Sequence, residues 1–441
     1  MQPSGSFGSG GADQATRGYG RPNERYHRAM SPSAAGPLAG LRVIDCSTVL
    51  AGPYCTMLLA DLGADVVKVE PPDGDATRRW GPPWVGSEAD GTRTAAYYLA
   101  VNRSKRSIRL DLRRVKGAAV LRGLLVGADV LVENFRPGSL DRLGFDDAAL
   151  RELNPRLVHL AISGYGPVGP DAGRPGYDFV LQAEAGLMSI TGQADDEGGR
   201  PTKVGVAISD IVTGLQGAVA VLAAVAGRES EESPAHDRGQ RIDVSILAST
   251  LAILVNQAQN AFVTGASPIR RGNAHPNIVP YETFATADGE VAVAIGSDRQ
   301  WPRFCRAMGL GGLAKDPRFT TNGKRVDDRV ALRSILAARF LTKASADWLV
   351  RFEAADVPAS IINDIVAAFA TPQVRALGTK VKVTHPAYGR TFQVGAPFSL
   401  SVTPTTEPTA PPLLGEQTDE ILAELGYDRA AVDRLRAGGV V

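Results

Sequence analysis

From residue 41 onward the chain alternates between short β-branched runs and helix-length apolar segments, and this alternation restricts the fold more than any other feature. Residues 41–45 read as a strand and 47–53 as a turn. Pro53 suits a helix start, since its fixed φ is already helical and its missing N–H is not needed there. Residues 54–62 carry the helix, Gly63 ends it, and 64–70 form a second strand. Two strands joined by a crossover helix lie parallel, which predicts a doubly wound α/β layer. The pattern continues with strands expected at 108–112, 129–133 and 157–163, and with helices over 116–126 and 147–152.

A chain of 441 residues holds two or three domains. Residues 1–37, rich in Gly, Ser, Pro and Ala, read as a disordered extension without the apolar core of a secretory signal. Residues 38–228 form the first part of a large α/β domain. Residues 229–354 hold a linker and a smaller α+β domain, opened by the polar stretch 229–240. Residues 355–441 return to the large domain. Within the middle part, 283–295 alternate like a hairpin around Asp288-Gly289.

A net charge of +1 points to neither nucleic acid nor an anionic membrane. No run reaches the ~20 apolar residues of a membrane span. Three scattered cysteines suit a reducing, cytoplasmic setting, and five dispersed histidines form no metal-ligand cluster.

Residues 203–227 hold the one ionisable group that most needs explaining. A β-like run over 204–208 meets Asp210, and 211–226 are apolar on nearly every face, which predicts a buried helix. A carboxylate at the mouth of such a helix must be paired, hydrogen-bonded or protonated. Either Ser209 or Asp210 caps the helix, or Asp210 is catalytic.

Other candidates lie in turns. The 51–53 turn sets backbone N–H groups at a helix N-terminus, where anions can bind, although no GxGxxG fingerprint is present. The basic run 102–107 is either a phosphate-facing cluster or a solvated surface. Asn134 and Phe135 follow a strand end, where open α/β sheets bind ligands. The loop 164–176 is long enough to suggest function and ends in Tyr177 and Asp178, which either hold a substrate or cap the next helix.

Seven pieces of sequence then agree in order and spacing: Leu38-Ala-Gly-Leu-Arg-Val-Ile-Asp45, Ala51-Gly-Pro53, Ala64-Asp-Val-Val-Lys-Val-Glu70, Lys105-Arg-Ser-Ile108, Val132-Glu-Asn-Phe135, Gly395-Ala-Pro-Phe398 and Pro411-Pro-Leu-Leu-Gly415. Together they resemble the class III CoA-transferases, the superfamily of formyl-CoA transferase, carnitinyl-CoA transferase and α-methylacyl-CoA racemase. Arg79 and its Trp-Gly-Pro-Pro loop, Asn273-Ala-His275 and Arg270-Arg271 are most similar to succinate–hydroxymethylglutarate CoA-transferases.

The resemblance implies a Rossmann-like large domain, an interlocked homodimer, and coenzyme A as substrate with no tightly bound cofactor. It implies that Asp210 attacks an acyl-CoA thioester to give an acyl-aspartyl anhydride, then an aspartyl-CoA thioester, before a second carboxylic acid accepts the CoA. Val49, Leu110, Arg113, Asn134, Phe135, Arg142 and Leu143 match CoA-contacting positions, and Tyr177 and Asp178 match a pair near the thioester. Pro71 and Leu50 stand where formyl-CoA transferase has arginine and glutamine, and His275-Pro-Asn277 replaces its glycine run, which argues against oxalate and formyl-CoA. Arg174, Arg270 and Arg271 are candidates for a distal carboxylate, because guanidinium matches it bidentately.

Two other readings remain. A racemase needs two acid/base groups flanking an α-carbon, and Tyr177 stands where racemases of this superfamily carry histidine. A non-catalytic acyl-CoA-binding protein would need Asp210 only as a cap.

Overall fold

The computed structural model describes residues 36–441. Six strands form the central sheet: β1 (Arg42–Asp45), β2 (Asp65–Glu70), β3 (Lys105–Arg109), β4 (Val130–Glu133), β5 (Val158–Ser163) and β6 (Arg241–Ser245). All neighbours pair in parallel, in the order β3-β2-β1-β4-β5-β6. This is the doubly wound order, with its switch point between β1 and β4.

Strands covered on both faces read as nearly continuous apolar runs, and alternate residues feed separate cores. Ile44, Val67, Ile108 and Leu131 face α2 (Val115–Val126), together with residues from the C-terminus. Val43, Val66, Val130 and Leu160 face α1 (Ala51–Asp61) and the long helix that carries Asp210. That helix follows α3 (Asp178–Glu184) and is α4 (Ile208–Glu229).

Helices α1 and α4 approach at glycines. A Cβ on Gly214 would lie 2.6 Å from the Ala51 carbonyl oxygen, and one on Gly217 would lie 3.1 Å from Leu160. The contact sets Asp210, one turn earlier on α4, beside the β1–α1 loop.

The smaller body has its own core of Trp301, Phe304, Phe340, Trp348 and Phe352. It is built on an antiparallel sheet of β7 (Tyr281–Ala285), β8 (Glu290–Ala294) and β9 (Ala359–Ile361). The Asp288-Gly289 hairpin forms as expected, with Val291 opposite Phe284. The return to the sheet is completed by α5 (Thr418–Glu424) and α6 (Arg429–Ala437), whose Ile421, Leu422, Val432 and Leu435 complete the α2-side core.

Several expectations need correction. The 229–354 division does not hold: β6 within it belongs to the large sheet, and the smaller body keeps the chain through β9, beyond residue 355. The extension 1–37 lies outside the described residues except for Gly36 and Pro37. The third strand is Lys105–Arg109 rather than 108–112, because the basic run is itself part of the sheet. The β-like run 204–208 forms no ladder: the Val204 N–H donates to Gln182 Oε1 (2.9 Å) and the Ile208 N–H to the Val206 carbonyl (2.8 Å). Finally, α4 is not wholly buried. Leu215, Val219, Ala223 and Ala226 leave one apolar stripe exposed along this chain.

Gly214→Ala is expected to force α1 and α4 apart and cost about 1–3 kcal/mol, read as a lower urea midpoint. Gly227→Ala, whose added methyl meets only the movable Ser233 hydroxyl at 3.3 Å, is the control and is expected to be neutral or stabilising.

Candidate active site

At the switch point a cavity of about 200 Å³ opens between the loops that leave β1, β4 and β5. Thr48–Ala51, Asn134–Pro137, the segment 172–177 and Asp210 line it.

The β1–α1 loop is held under strain. Val49 adopts φ 71°, a left-handed conformation rare for a β-branched residue. Its N–H donates to the Asp75 carboxylate at 3.2 Å, and Asp75 pairs with Lys68 at 3.1 Å. Lys68 in turn donates to the Ser47 carbonyl at 2.9 Å. Asn134 grips Thr48 from both sides, accepting from its N–H (2.9 Å) and donating to its carbonyl (2.8 Å).

Beneath the loop, Asp45 is fully buried and bonded to Lys105 at 3.0 Å and to Thr56 at 2.7 Å. Burial alone would raise its pKa, but the Lys105 and Lys68 charges, with the Ser47 and Thr56 hydroxyls, hold it at about 2. Arg103 pairs with buried Asp61 at 2.8 and 2.5 Å. Both readings of the basic run therefore fail for Arg103 and Lys105. They are neither solvated nor turned to a phosphate; they neutralise buried acids.

Asp210 sits in the first turn of α4, 9% exposed. Neither it nor Ser209 caps the helix. The cap comes from α3: Asp178 Oδ1 accepts from the Ser209 N–H (2.8 Å) and the Asp210 N–H (3.4 Å). Gln182 Nε2 donates to the other Asp178 oxygen at 2.7 Å. Among the described residues no donor reaches the Asp210 carboxylate. Burial first, and the Asp178 charge second, push the Asp210 carboxyl up to about 7.

One residue missed by sequence reasoning stands here. Tyr97 packs on the small cluster of Leu50, Met57 and Val101, as do Val49, Ala207 and Ile211, and lies edge-on to Trp80 at 5.3 Å. Burial, then the charges of Asp210, Asp178 and Asp75, push its phenol up to about 12. In sequence it is one of two adjacent tyrosines. Its neighbour Tyr98 is engaged elsewhere, with Arg78 (2.6 Å), and no local signal separates the two.

The structure thus gathers Val49, Asn134, Phe135, Tyr177 and Asp210 around one cavity, with Asp178 behind the nucleophile candidate. Tyr177 is 63% exposed and makes no side-chain cap. Leu110, Leu143, Arg113 and Arg142 do not line the cavity. Leu110 is buried in the α2-side core, and Leu143 packs against the same core. Arg113 is bound to Asp111, and Arg142 donates to the Ser139 hydroxyl at 2.8 Å. Arg174 does line it, but is paired with Asp171 (3.1 Å) and Glu184 (3.0 Å). Arg270 is bound to Asp195 and to the Ser189 carbonyl, whereas Arg271 has no side-chain partner among the described residues. The described residues contain no group of three or more His, Cys, Asp or Glu able to hold a metal.

A doubly wound sheet with a cavity at its switch point, lined by a buried carboxylate that no donor reaches among the described residues, defines an α/β protein with a ligand site at the strand ends. Comparison with known proteins makes the assignment specific: residues 38–418 match the model of CoA-transferase family III, and the chain belongs to that family. It is 44% identical over 397 residues to a succinate–glutarate CoA-transferase of Agrobacterium fabrum, covering 89% of this chain and 97% of the relative. It is 39% identical over 407 residues to the succinyl-CoA:glutarate CoA-transferase of Homo sapiens, covering 92% and 90%. Among solved structures, a CaiB/BaiF family protein from Brucella suis superposes with TM-score 0.77 at 41% identity, over 89% of this chain and 100% of that one.

Because the folded state raises the Asp210 pKa from 3.8 to about 7, it binds the proton more tightly than the unfolded chain does. The stability this confers is complete below about pH 4 and is lost as pH rises through 7. Asp210→Asn is therefore expected to be more stable than wild type at pH 8, by a few kcal/mol at most. The gap should shrink steadily in thermal unfolding runs towards pH 5.

Proposed function

We propose that this enzyme moves CoA between a dicarboxylic acyl-CoA, such as succinyl-CoA, and a free dicarboxylic acid of similar length, with Asp210 as the acyl-carrying nucleophile. The observation that carries the reading is the Asp210 carboxylate, which meets the cavity without a hydrogen-bond donor. An Asp210 oxygen attacks the thioester carbonyl and the C–S bond breaks, giving a mixed anhydride and CoA thiolate. The thiolate attacks the aspartyl carbonyl and releases the first acid as its carboxylate. The incoming carboxylate then attacks the aspartyl-CoA thioester, and returning thiolate takes the new acyl group and restores Asp210. Every step exchanges one acyl bond for another, so no ATP is consumed. Shielding the anhydride from water favours a buried nucleophile, and Asp210 is 9% exposed.

The substrate class is supported by the names of the relatives, succinate–glutarate and succinyl-CoA:glutarate CoA-transferases. Arg271, without a side-chain partner among the described residues, is the candidate for the distal carboxylate. Arg174 is a weaker one, since two acids already bind it. CoA enters along the Val49 and Asn134–Phe135 loops as a substrate.

A homodimer belongs to the same proposal. The exposed stripe on α4 and the exposed Leu251, Val255, Phe262 and Val263 are apolar side chains that a second copy would cover. We place the enzyme in the cytoplasm, where the buried free thiols Cys46, Cys55 and Cys305 stay reduced. Racemisation is disfavoured because Tyr177 stands where racemases of this superfamily carry their histidine.

Incubation with succinyl-CoA and a panel of free acids in D₂O is expected to yield new acyl-CoA masses without α-deuterium uptake; uptake without exchange would sink the proposal. Asp210→Asn should lose exchange by at least about a thousandfold, and hydroxylamine should trap acyl or CoA adducts at Asp210 in wild type alone. An acyl-CoA-binding protein would show no turnover in either form.

A further inference from the structure

We propose that Asp178 is a positioning residue for the nucleophile: by taking the N–H groups of the α4 first turn it leaves the Asp210 carboxylate unbonded, beside a like charge. The proposal rests on Asp210 being the nucleophile. It also replaces the expectation that Asp178 contacts substrate.

An aspartate at the third residue of a helix is ordinarily stabilised by the free N–H groups and the positive end of the helix dipole. In this chain those donors face a competitor. Ser209 and Asp210 both turn their N–H groups to Asp178 Oδ1, at 2.8 and 3.4 Å. Asp178 is anchored in turn, because Gln182 Nε2 holds its second oxygen at 2.7 Å. Gln182 is completely buried, and its own oxygen accepts from the Val204 N–H at 2.9 Å. The cap is therefore a built arrangement reaching from α3 to the approach of α4.

Two carboxylates thus share one helix N-terminus under unequal conditions. Asp178 receives three donors, whereas Asp210 receives none among the described residues. The other titratable groups around Asp210 are Tyr97, Tyr177 from the loop before α3, and Tyr54 from α1; Asp75 lies beyond Tyr97. No arginine or lysine among the described residues pairs with either acid. Environments that differ this way push two acids towards different roles. The bonded one organises the helix, and the unbonded one remains a strong base and hence a strong nucleophile towards a carbonyl. Burial contributes to the same end, and Asp178 adds its charge.

The test uses the full-length protein and two variants. Asp178→Asn keeps an acceptor for the Ser209 N–H but removes the charge. Asp178→Ala removes both, and frees the N–H groups to bond Asp210. The first readout needs no substrate: the Asp210 carboxyl is titrated by infrared difference against the corresponding variant carrying Asp210→Asn. Its midpoint is expected to fall by about one pH unit in Asp178→Asn and further in Asp178→Ala. The second is the pH profile of CoA exchange. Its acidic midpoint should move down by the same amount, while the plateau rate falls several-fold because a less basic carboxylate attacks more slowly. A lowered Tm and rate with an unmoved Asp210 midpoint would mean that Asp178 is only a cap, and would overturn the inference. If Asp178→Asn does not fold, the Ala variant decides by the same midpoint. A shifted midpoint in an enzyme with no CoA exchange would refute the proposed reaction and leave the role of Asp178 standing.

Discussion

The site depends on a set of buried charges beneath the β1–α1 loop. Asp45, Lys105, Lys68 and Asp75 are all removed from water, which is costly for any one of them alone. Together with Ser47, Thr56 and the loop backbone they satisfy one another, and they fix Val49 in a conformation its side chain disfavours. Apolar side chains could fill the same volume but could not accept the Val49 N–H. The network is better understood as fixing loop shape than as adding stability, since buried ion pairs seldom outperform good apolar packing.

A second constraint acts from the other side. The glycines of α4 bring its backbone against α1, so the helix carrying Asp210 and the loop lining the cavity are parts of one packed unit. The polar network fixes the loop and the glycine contact fixes the helix. Between them the distance from Asp210 to the loop that lines the cavity is a property of the core.

Much of this was legible in the sequence, and the reasons differ by feature. The parallel sheet followed from β-branched runs separated by helix-length segments, because periodicity is local. Asn134 and Phe135 could be placed at a strand's C-terminal end for the same reason. What could not be read were relations between distant residues. Lys105 and Arg103 looked like surface charge because their partners, Asp45 and Asp61, lie far away in the chain. Asp178 read as either a substrate contact or a cap for its own helix, and only the fold shows that it caps another. Tyr97 had no motif to mark it. The expectation of a wholly buried α4 treated a helix apolar all round as a core helix, yet such a stripe can equally await another surface.

The C-terminal helices have a consequence for how the protein is made. All six strands of the sheet have been synthesised by Ser245, yet the α2-side core still lacks Ile421, Leu422, Val432 and Leu435. A nascent chain therefore holds a topologically complete sheet with one face partly bare while nearly two hundred further residues emerge. Folding of this domain waits for those helices, and the α2-side face of the sheet must be shielded until they arrive. The smaller body closes on its own core earlier, so the inserted part is ready before the part that contains it.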